Sequence, residues 1–326
     1  MTKAISCSSV FAEEIKGYVD EKRSVGYKFE KGASILERFD LFLVKHKLTE
    51  KILSKELVLL WTTKNQNESD STRNGRISNI RGFARYLVRI GYEAYIVPGK
   101  ILKISRYSYT PYIFSKKELK NIFLAADSCP VSELTPNRHL VMSLIFRLLY
   151  GTGLRISEAL NLKIIDVDFK KGILYIRNTK FGKERLVPLS DSLLVRCHNY
   201  LNAIQQSGYS GEYFFPSPYG GHYGSSTIYR YFRDLIWEVG ISHSGKGPRI
   251  HDFRHTFAVH CLKNWVLKGE DLTNLLPYLS VYLGHNDLRG TQHYLKLTAD
   301  LYPAIVANVE NHFSYLIPEV IFHETD

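Results

Sequence analysis

The sequence predicts a mainly α-helical protein with a small antiparallel β-sheet, divided into two domains. Its 326 residues are more than one typical hydrophobic core needs. Apolar residues recur at three- and four-residue spacings over residues 8–97, which is the helical period. Segments with strand-like composition occur only within residues 164–189. The sheet is therefore expected to be a minor element of the second domain.

The first domain, residues 1–99, is expected to be a small helical bundle. Phe83, Leu87 and Ile90 illustrate the helical spacing of its apolar residues. A row of arginines lies along the last predicted helix. This row is equally compatible with a face for DNA phosphates and with an ordinary solvated face. Its members are Arg73, Arg76, Arg81, Arg85 and Arg89.

A linker and a second domain follow the break at Pro98 and Gly99. Residues 100–111 are basic and tyrosine-rich without a clear helical period, so they are predicted to be the linker. The second domain is predicted to span residues 112–326. It opens with Ser115 as a helix N-cap and Glu118 three residues later, which is a capping box.

Further helices and three short strands are predicted in the second domain. A strongly apolar helix is expected over 139–150, followed by a short helix that starts at Arg155. The segments 164–169, 173–177 and 185–189 are expected to pair as an antiparallel meander, and residues 225–318 are expected to be mostly helical.

The charge balance favours a polyanionic partner. There are 43 Lys and Arg against 32 Asp and Glu, a formal net charge of +11. Such an excess is typical of nucleic-acid-binding proteins, with an anionic membrane surface as the competing partner. The longest apolar stretch, 140–149, is interrupted by Arg147 and is far shorter than the ~20 residues of a membrane span. A nucleic acid is therefore the expected partner, and no membrane is expected.

A cytoplasmic setting is predicted from the N-terminus and the cysteines. Residues 1–10 contain no apolar run of the kind found in secretory signals. The four cysteines never form a C-x-x-C pair, so neither a disulfide framework nor a zinc knuckle is indicated. They are Cys7, Cys129, Cys197 and Cys261.

Five stretches of the second domain supply groups suited to a phosphodiester. In G-T-G-L-R-I-S-E, two glycines permit a tight turn that places Arg155 at a helix start, where anions bind readily. Lys180 lies in the predicted turn between two strands. In H-D-F-R-H, His251, Arg254 and His255 share one helical face.

The two remaining stretches are L-G-H, which contains His285, and T-Q-H-Y, which contains Tyr294. Tyr294 lies nine residues after His285. The chain has 22 tyrosines, so a tyrosine alone is no signal. Only its position after L-G-H distinguishes Tyr294.

In this order and spacing, the stretches resemble the tyrosine recombinase (phage integrase) family over residues 112–315. The family pattern is Arg, Lys, His-x-x-Arg, Leu-Gly-His and then Tyr. The resemblance implies a helical core-binding domain followed by an α+β catalytic domain. It also implies DNA strand cleavage and rejoining through a 3′-phosphotyrosine, without a nucleotide cofactor or a metal.

The resemblance assigns a role to each residue. Forked N–H donors of arginine suit the non-bridging phosphate oxygens. A tyrosine with an ordinary pKa of ~10 needs a base or a cationic setting to attack near neutral pH. The implied set is Arg155 and Arg254 on the phosphate, His251 in proton handling, Lys180 as general acid, His285 as donor to the phosphate, Tyr294 as nucleophile and Glu158 as an orienting residue.

Several alternatives remain open. Lys183 competes with Lys180 as the catalytic lysine, the connection around 263–280 is longer than is usual in the family, and His293 has no assigned role. A type IB-like topoisomerase has the same chemistry, and a DNA-binding protein without catalysis and a histidine-based metalloenzyme are further alternatives. The preferred hypothesis is that the protein is a site-specific recombinase or integrase that acts for a mobile genetic element. It is expected to assemble as a homotetramer on paired DNA sites through the apolar-patterned segment 301–318.

Overall fold

The computed structural model describes residues 5–99, 110–177, 184–245, 247–285, 287–295 and 297. Within the chain, two compact units divide between Tyr109 and Thr110. The predictions for residues 100–109 of the linker, for Lys180 and Lys183, and for the segment 301–318 lie outside the described residues.

Over its described residues, 5–99, the first unit is a four-helix bundle. Ser54 and Ser69 each accept a hydrogen bond from a backbone N–H of the first turn and so begin the third and fourth helices. Its core is aromatic, with Phe11 and Phe83 fully buried and meeting edge to face at 6.2 Å. The helices are α1 (Ala12–Ser24), α2 (Glu30–Lys45), α3 (Lys55–Thr62) and α4 (Asp70–Arg89).

Part of the arginine row on α4 contributes to the packing of this unit. Arg76 is buried and donates hydrogen bonds to both carboxylate oxygens of Glu68 and to the Thr63 carbonyl. Arg81 donates to the Val97 carbonyl at 2.7 Å. These two guanidiniums bind protein groups, so the row is not one uniform open face.

The second unit combines eight helices with three strands, counted over the described residues. The strands pair antiparallel in the order β1-β2-β3, with Leu174 opposite Val187. The elements are α5 (Lys116–Asp127), α6 (Arg138–Thr152), α7 (Ile156–Leu160), β1 (Val167–Asp168), β2 (Ile173–Ile176), β3 (Arg185–Pro188), α8 (Asp191–Gln206), α9 (Ser225–Glu238), α10 (Asp252–Leu267), α11 (Leu272–Leu283) and α12 (Arg289–Leu295).

The predicted fold class, mainly helical with a small antiparallel sheet, is confirmed. The capping box at the start of α5 is present, with reciprocal bonds between Ser115 and Glu118. The longer connection of residues 263–280 is helical: it comprises the end of α10 and most of α11.

One strand prediction is wrong in its first half. Ile164–Asp166 forms a 3-10 helix, and only Val167–Asp168 pairs as strand β1. The Asp166 side chain accepts a hydrogen bond from the Lys163 backbone N–H at 3.1 Å, which closes a tight turn in place of an extended segment.

The core of the second unit positions α10. Phe253, on the apolar side of this helix, is fully buried and stacks on Phe114 at 5.1 Å. The backbone N–H of Phe114 donates to the hydroxyl of Thr256, which is also buried. These contacts fix the rotation of α10 and direct its polar side toward the site described below. None of the described helices is long and apolar enough to cross a bilayer.

Candidate active site

Arg254 lies at the centre of the site. Its side chain is almost completely buried, with 2% of the residue exposed. One terminal nitrogen donates to the Gly153 carbonyl at 2.8 Å, and the other donates to the Leu283 carbonyl at 2.6 Å. This guanidinium therefore joins α10 to the ends of α6 and α11.

Gly153 allows the chain to turn from α6 into the site. It ends α6 in the left-handed region, with φ +61°, where glycine is favoured. A Cβ atom at this position would lie 2.7 Å from Phe257 and 2.8 Å from Leu283. The turn brings Arg155 to the N-cap position of α7, with 23% of its side chain exposed.

Glu158 binds two arginines at once. Arg155 donates to it from both its backbone N–H, at 3.0 Å, and its side chain, at 2.7 Å. Arg185 donates to both carboxylate oxygens, at 3.1 and 2.8 Å. Burial alone would raise the pKa of Glu158, but the hydrogen bonds and charges of Arg185 and Arg155 lower it to about 2. Glu158 is therefore ionised at neutral pH.

The C-terminus of α11 anchors all three arginines. The last carbonyls of a helix have no intrahelical partner, and they carry the negative end of its dipole. Here three consecutive carbonyls each accept one guanidinium N–H. The pairs are Tyr282 with Arg185 at 2.8 Å, Leu283 with Arg254 at 2.6 Å, and Gly284 with Arg155 at 3.1 Å.

His285 follows directly and is oriented by Thr291. Its Nδ1 lies 2.8 Å from the hydroxyl of Thr291, which is fully buried. A hydrogen bond at Nδ1 fixes the ring and leaves Nε2 for a ligand.

Tyr294 lies on α12 among these groups. Only 2% of it is exposed, and it belongs to an apolar cluster with Val259 of α10 and Leu279 of α11. The charge of Arg254 acts on the Tyr294 hydroxyl group. The His255 and His285 rings lie 5.5 and 6.1 Å from the Tyr294 ring, centroid to centroid.

The histidines of the site are neutral at pH 7. Desolvation of the ring, together with the charges of Arg254 and Arg155, lowers the pKa of His251 to about 4, although the residue as a whole is exposed. The same causes lower the pKa of His285 to about 4. Desolvation and then the neighbouring His251 lower that of His255 to about 3.

The nucleophile candidate is under opposing influences. Burial raises the pKa of Tyr294, whereas the charges of Arg254 and Arg155 lower it. Burial also lowers the pKa of Arg254 to about 10, which leaves the guanidinium charged at neutral pH. The site is thus a pocket of positive charge around a protonated tyrosine.

The structure brings together six of the seven residues predicted for the site, since Lys180 lies outside the described residues. Sequence reasoning gave no role to Arg185, Thr291 or His255. For Arg185 the sequence offered a signal in K-E-R-L-V-P-L. An arginine at the start of a predicted strand is rarely buried unless a charged partner pairs with it. His293 lies next to Tyr294, with 6.4 Å between the ring centroids. Among the described residues, no group of three His, Cys, Asp or Glu side chains is placed to hold a metal ion.

Comparison with known proteins decides the family. The model of the phage integrase family matches residues 113–300, more than half of the chain. The chain belongs to the phage integrase family. The members of this family are site-specific recombinases, and the prediction that the chain is a tyrosine recombinase is confirmed.

Individual relatives agree with this assignment. A putative integrase/recombinase of Sinorhizobium fredii is 32% identical over 94% of this chain and 98% of its own. A tyrosine recombinase XerC of Oceanobacillus iheyensis is 28% identical over 86% of this chain and 88% of its own. The fold is similar to that of a lambda integrase dimer bound to a core site, with a TM-score of 0.62, 18% identity, and coverage of 86% of this recombinase and 94% of that chain.

Glu158 should make the stability of the recombinase depend on acid pH. A carboxylate whose pKa is lower in the folded state stabilises the fold above its ordinary pKa of 4.5, and this contribution disappears as the pH falls to about 2. Glu158→Gln should lower the free energy of unfolding at pH 7 by roughly 3 kcal/mol and should flatten its decline between pH 4.5 and 2. Urea titrations across this pH range measure both effects.

Glu212→Gln is the matched control, because Glu212 pairs with Lys163 at 2.7 Å but is more than half exposed. Its removal should cost less than about 1 kcal/mol. Equal losses of unfolding free energy in the two variants would contradict the stabilising role assigned to the buried carboxylate of Glu158.

Proposed function

We propose that this recombinase cleaves and rejoins double-stranded DNA through a 3′-phosphotyrosine at Tyr294, and that it acts at specific sites for a mobile genetic element. The observation that carries the proposal is the position of Arg254, which is anchored on the Gly153 and Leu283 carbonyls and whose charge acts on the Tyr294 hydroxyl. Together with Arg155, held on the adjacent carbonyl of α11, Arg254 surrounds the nucleophile with donors suited to a phosphate.

The reaction forms one bond and breaks one. The Tyr294 oxygen attacks the scissile phosphorus, and the bond from phosphorus to the 5′ oxygen breaks, which leaves a 3′-phosphotyrosine and a free 5′ hydroxyl. The tyrosine proton passes to His251, and Lys180 protonates the departing 5′ oxygen. Religation reverses these steps with a 5′ hydroxyl as nucleophile, so the phosphodiester energy is kept and no nucleotide cofactor is required.

The neutral histidines support this division of roles. A neutral His251 can accept a proton, and the negative phosphate will raise its pKa by offsetting the charges of Arg254 and Arg155. His285, oriented by Thr291, offers Nε2 to a phosphate oxygen. Arg155 and Arg254 use part of their donors on carbonyls and Glu158, and their remaining N–H groups serve the non-bridging oxygens.

The charge and the comparisons support DNA as the partner. The +11 charge suits a DNA duplex, and the lambda integrase structure named above contains a core site. Residues 1–99 serve as the core-binding domain, 100–111 as the linker and 112–326 as the catalytic domain. The working form is a homotetramer on paired sites, in which 301–318 docks on a neighbouring protomer.

A nicked suicide substrate tests the proposal. When the short 5′ fragment diffuses away after cleavage, religation is prevented, and the recombinase should accumulate as a denaturant-resistant adduct with DNA. The substrate carries the ends of the element that encodes the protein. Product DNA joined between two such sites would support recombination. Relaxation of any supercoiled plasmid without joining would favour a topoisomerase instead, and DNA binding without an adduct would refute catalysis.

A further inference from the structure

Arg185 has no assigned role in the reaction, yet its side chain is held more tightly than that of Arg155. Its side chain is only 8% exposed. All three of its nitrogens donate, one to the Tyr282 carbonyl at 2.8 Å and two to the Glu158 carboxylate. Its partners belong to α11 and α7, and Arg185 itself begins β3.

These bonds close a ring with Arg155. Glu158 accepts from Arg185 and from Arg155, and Arg155 in turn donates to the Gly284 carbonyl, two residues after Tyr282. Arg155 is therefore fixed on both sides by groups that Arg185 fixes. Gly284 tightens the ring further, because a Cβ atom there would lie 2.9 Å from a terminal nitrogen of Arg185.

We propose that Arg185 is a positioning residue for Arg155: through Glu158 and the C-terminus of α11, it sets the angle at which Arg155 meets the scissile phosphate. This inference rests on the proposed function and extends it to a residue that does not touch the substrate. Without Arg185, the Glu158 carboxylate would bind water in its place. The side chain of Arg155, which is long and partly exposed, would then change its rotamer more freely.

The geometry also explains why a second arginine is used. A guanidinium presents a planar fork that matches both carboxylate oxygens, and it still has Nε available for a carbonyl. Lysine has a single ammonium and cannot span Glu158 and Tyr282 in this way. Loss of this support leaves all groups of the reaction present but displaces one of them, and displacement of about 1 Å can cost on the order of 100-fold in rate.

Single-turnover cleavage of suicide substrates by Arg185→Gln tests the inference. The first substrate has an ordinary scissile phosphate, and the second has an uncharged methylphosphonate in its place. If Arg185 acts through Arg155, the variant should cleave the charged substrate about 100-fold more slowly than the wild type. The deficit should shrink to a few-fold on the neutral substrate, because a methyl group replaces one non-bridging oxygen and Arg155 then has less negative charge to stabilise. DNA affinity should change little.

Arg177→Gln is the matched control. Arg177 follows β2 directly and pairs with Asp166, and its side chain is about half exposed. Like Arg185→Gln, this variant removes one positive charge from the β2–β3 hairpin. Its cleavage rates should match those of the wild type on both substrates. If Arg185→Gln does not fold, Arg185→Lys carries the same comparison, with a smaller loss on the charged substrate.

The outcomes separate the two proposals. Equal deficits of Arg185→Gln on both substrates would indicate a general structural defect and overturn the positioning role. A rate equal to that of Arg177→Gln would do the same. Failure of the wild type to form any adduct would overturn the proposed function, and with it the inference.

Discussion

Tyr294→Phe should abolish the covalent adduct with DNA completely. The substitution removes only the hydroxyl, and the ring keeps its place in the apolar cluster between α10 and α11. Arg155, Arg254 and His285 remain to bind the phosphate, so DNA affinity in gel shifts should stay close to that of the wild type. Without the oxygen no phosphotyrosine can form, and the adduct on the suicide substrate should be undetectable.

Tyr278→Phe is the matched control for this experiment. Tyr278 lies on α11 with 73% of its surface exposed, so its hydroxyl is not held near the arginines. The variant should form the adduct at the wild-type rate. Peptide mapping of the wild-type adduct should identify the segment with Tyr294. A labelled peptide with Tyr278, Tyr282 or Tyr302 would refute the assignment of the nucleophile.

Arg254→Lys should reduce the rate of adduct formation by about 10²–10³-fold. The lysine keeps a positive charge but loses the fork that binds the Gly153 and Leu283 carbonyls together. The loss should affect the chemical step more than binding, because the negative charge on the phosphate oxygens grows during attack. Single-turnover cleavage at saturating protein measures it.

Arg147→Lys controls for the exchange of arginine for lysine in general. Like Arg254, Arg147 binds two backbone carbonyls, those of Ser143 and Phe123, and in addition it pairs with Asp127. It lies on α6, and none of these partners belongs to the site. Its variant should retain the wild-type cleavage rate. A cleavage rate of Arg254→Lys within a few-fold of the wild type would show that charge alone suffices and that the fork is not required.

Much of the fold was predictable because its signals are local. The capping box of Ser115 and Glu118 involves residues three apart, and the grouping of His251 with Arg254 follows from one turn of helix. The strand assigned to Ile164–Asp166 failed because a single hydrogen bond, from the Lys163 backbone N–H to the Asp166 side chain, outweighed the apolar, β-branched composition.

The role of Arg185 was beyond prediction for the opposite reason. Its partners, Glu158 and Tyr282, are 27 and 97 residues away along the chain, so only the packing of α7, β3 and α11 brings them together. The same holds for Arg254, whose spacing from His251 predicted its face but not its two carbonyl partners. Partners close in sequence were available for His285, whose ring is oriented by Thr291 six residues away, and for Arg155, which binds Glu158 three residues away.

The anchoring of three arginines on the end of α11 also bears on how this protein can diverge in sequence. A backbone carbonyl is the same in every residue type, so the side chains of Tyr282 and Leu283 are not what binds Arg185 and Arg254. Exchanges at these two positions that keep the helix intact should preserve the anchors. Substitution of Gly284 should disturb the anchors, because its φ of +67° and its closeness to Arg185 both disfavour a side chain at this position. The anchors themselves therefore restrict the residue type only at Gly284, whereas packing restricts it at Leu283, which is fully buried, and at Tyr282, whose ring stacks on Phe257.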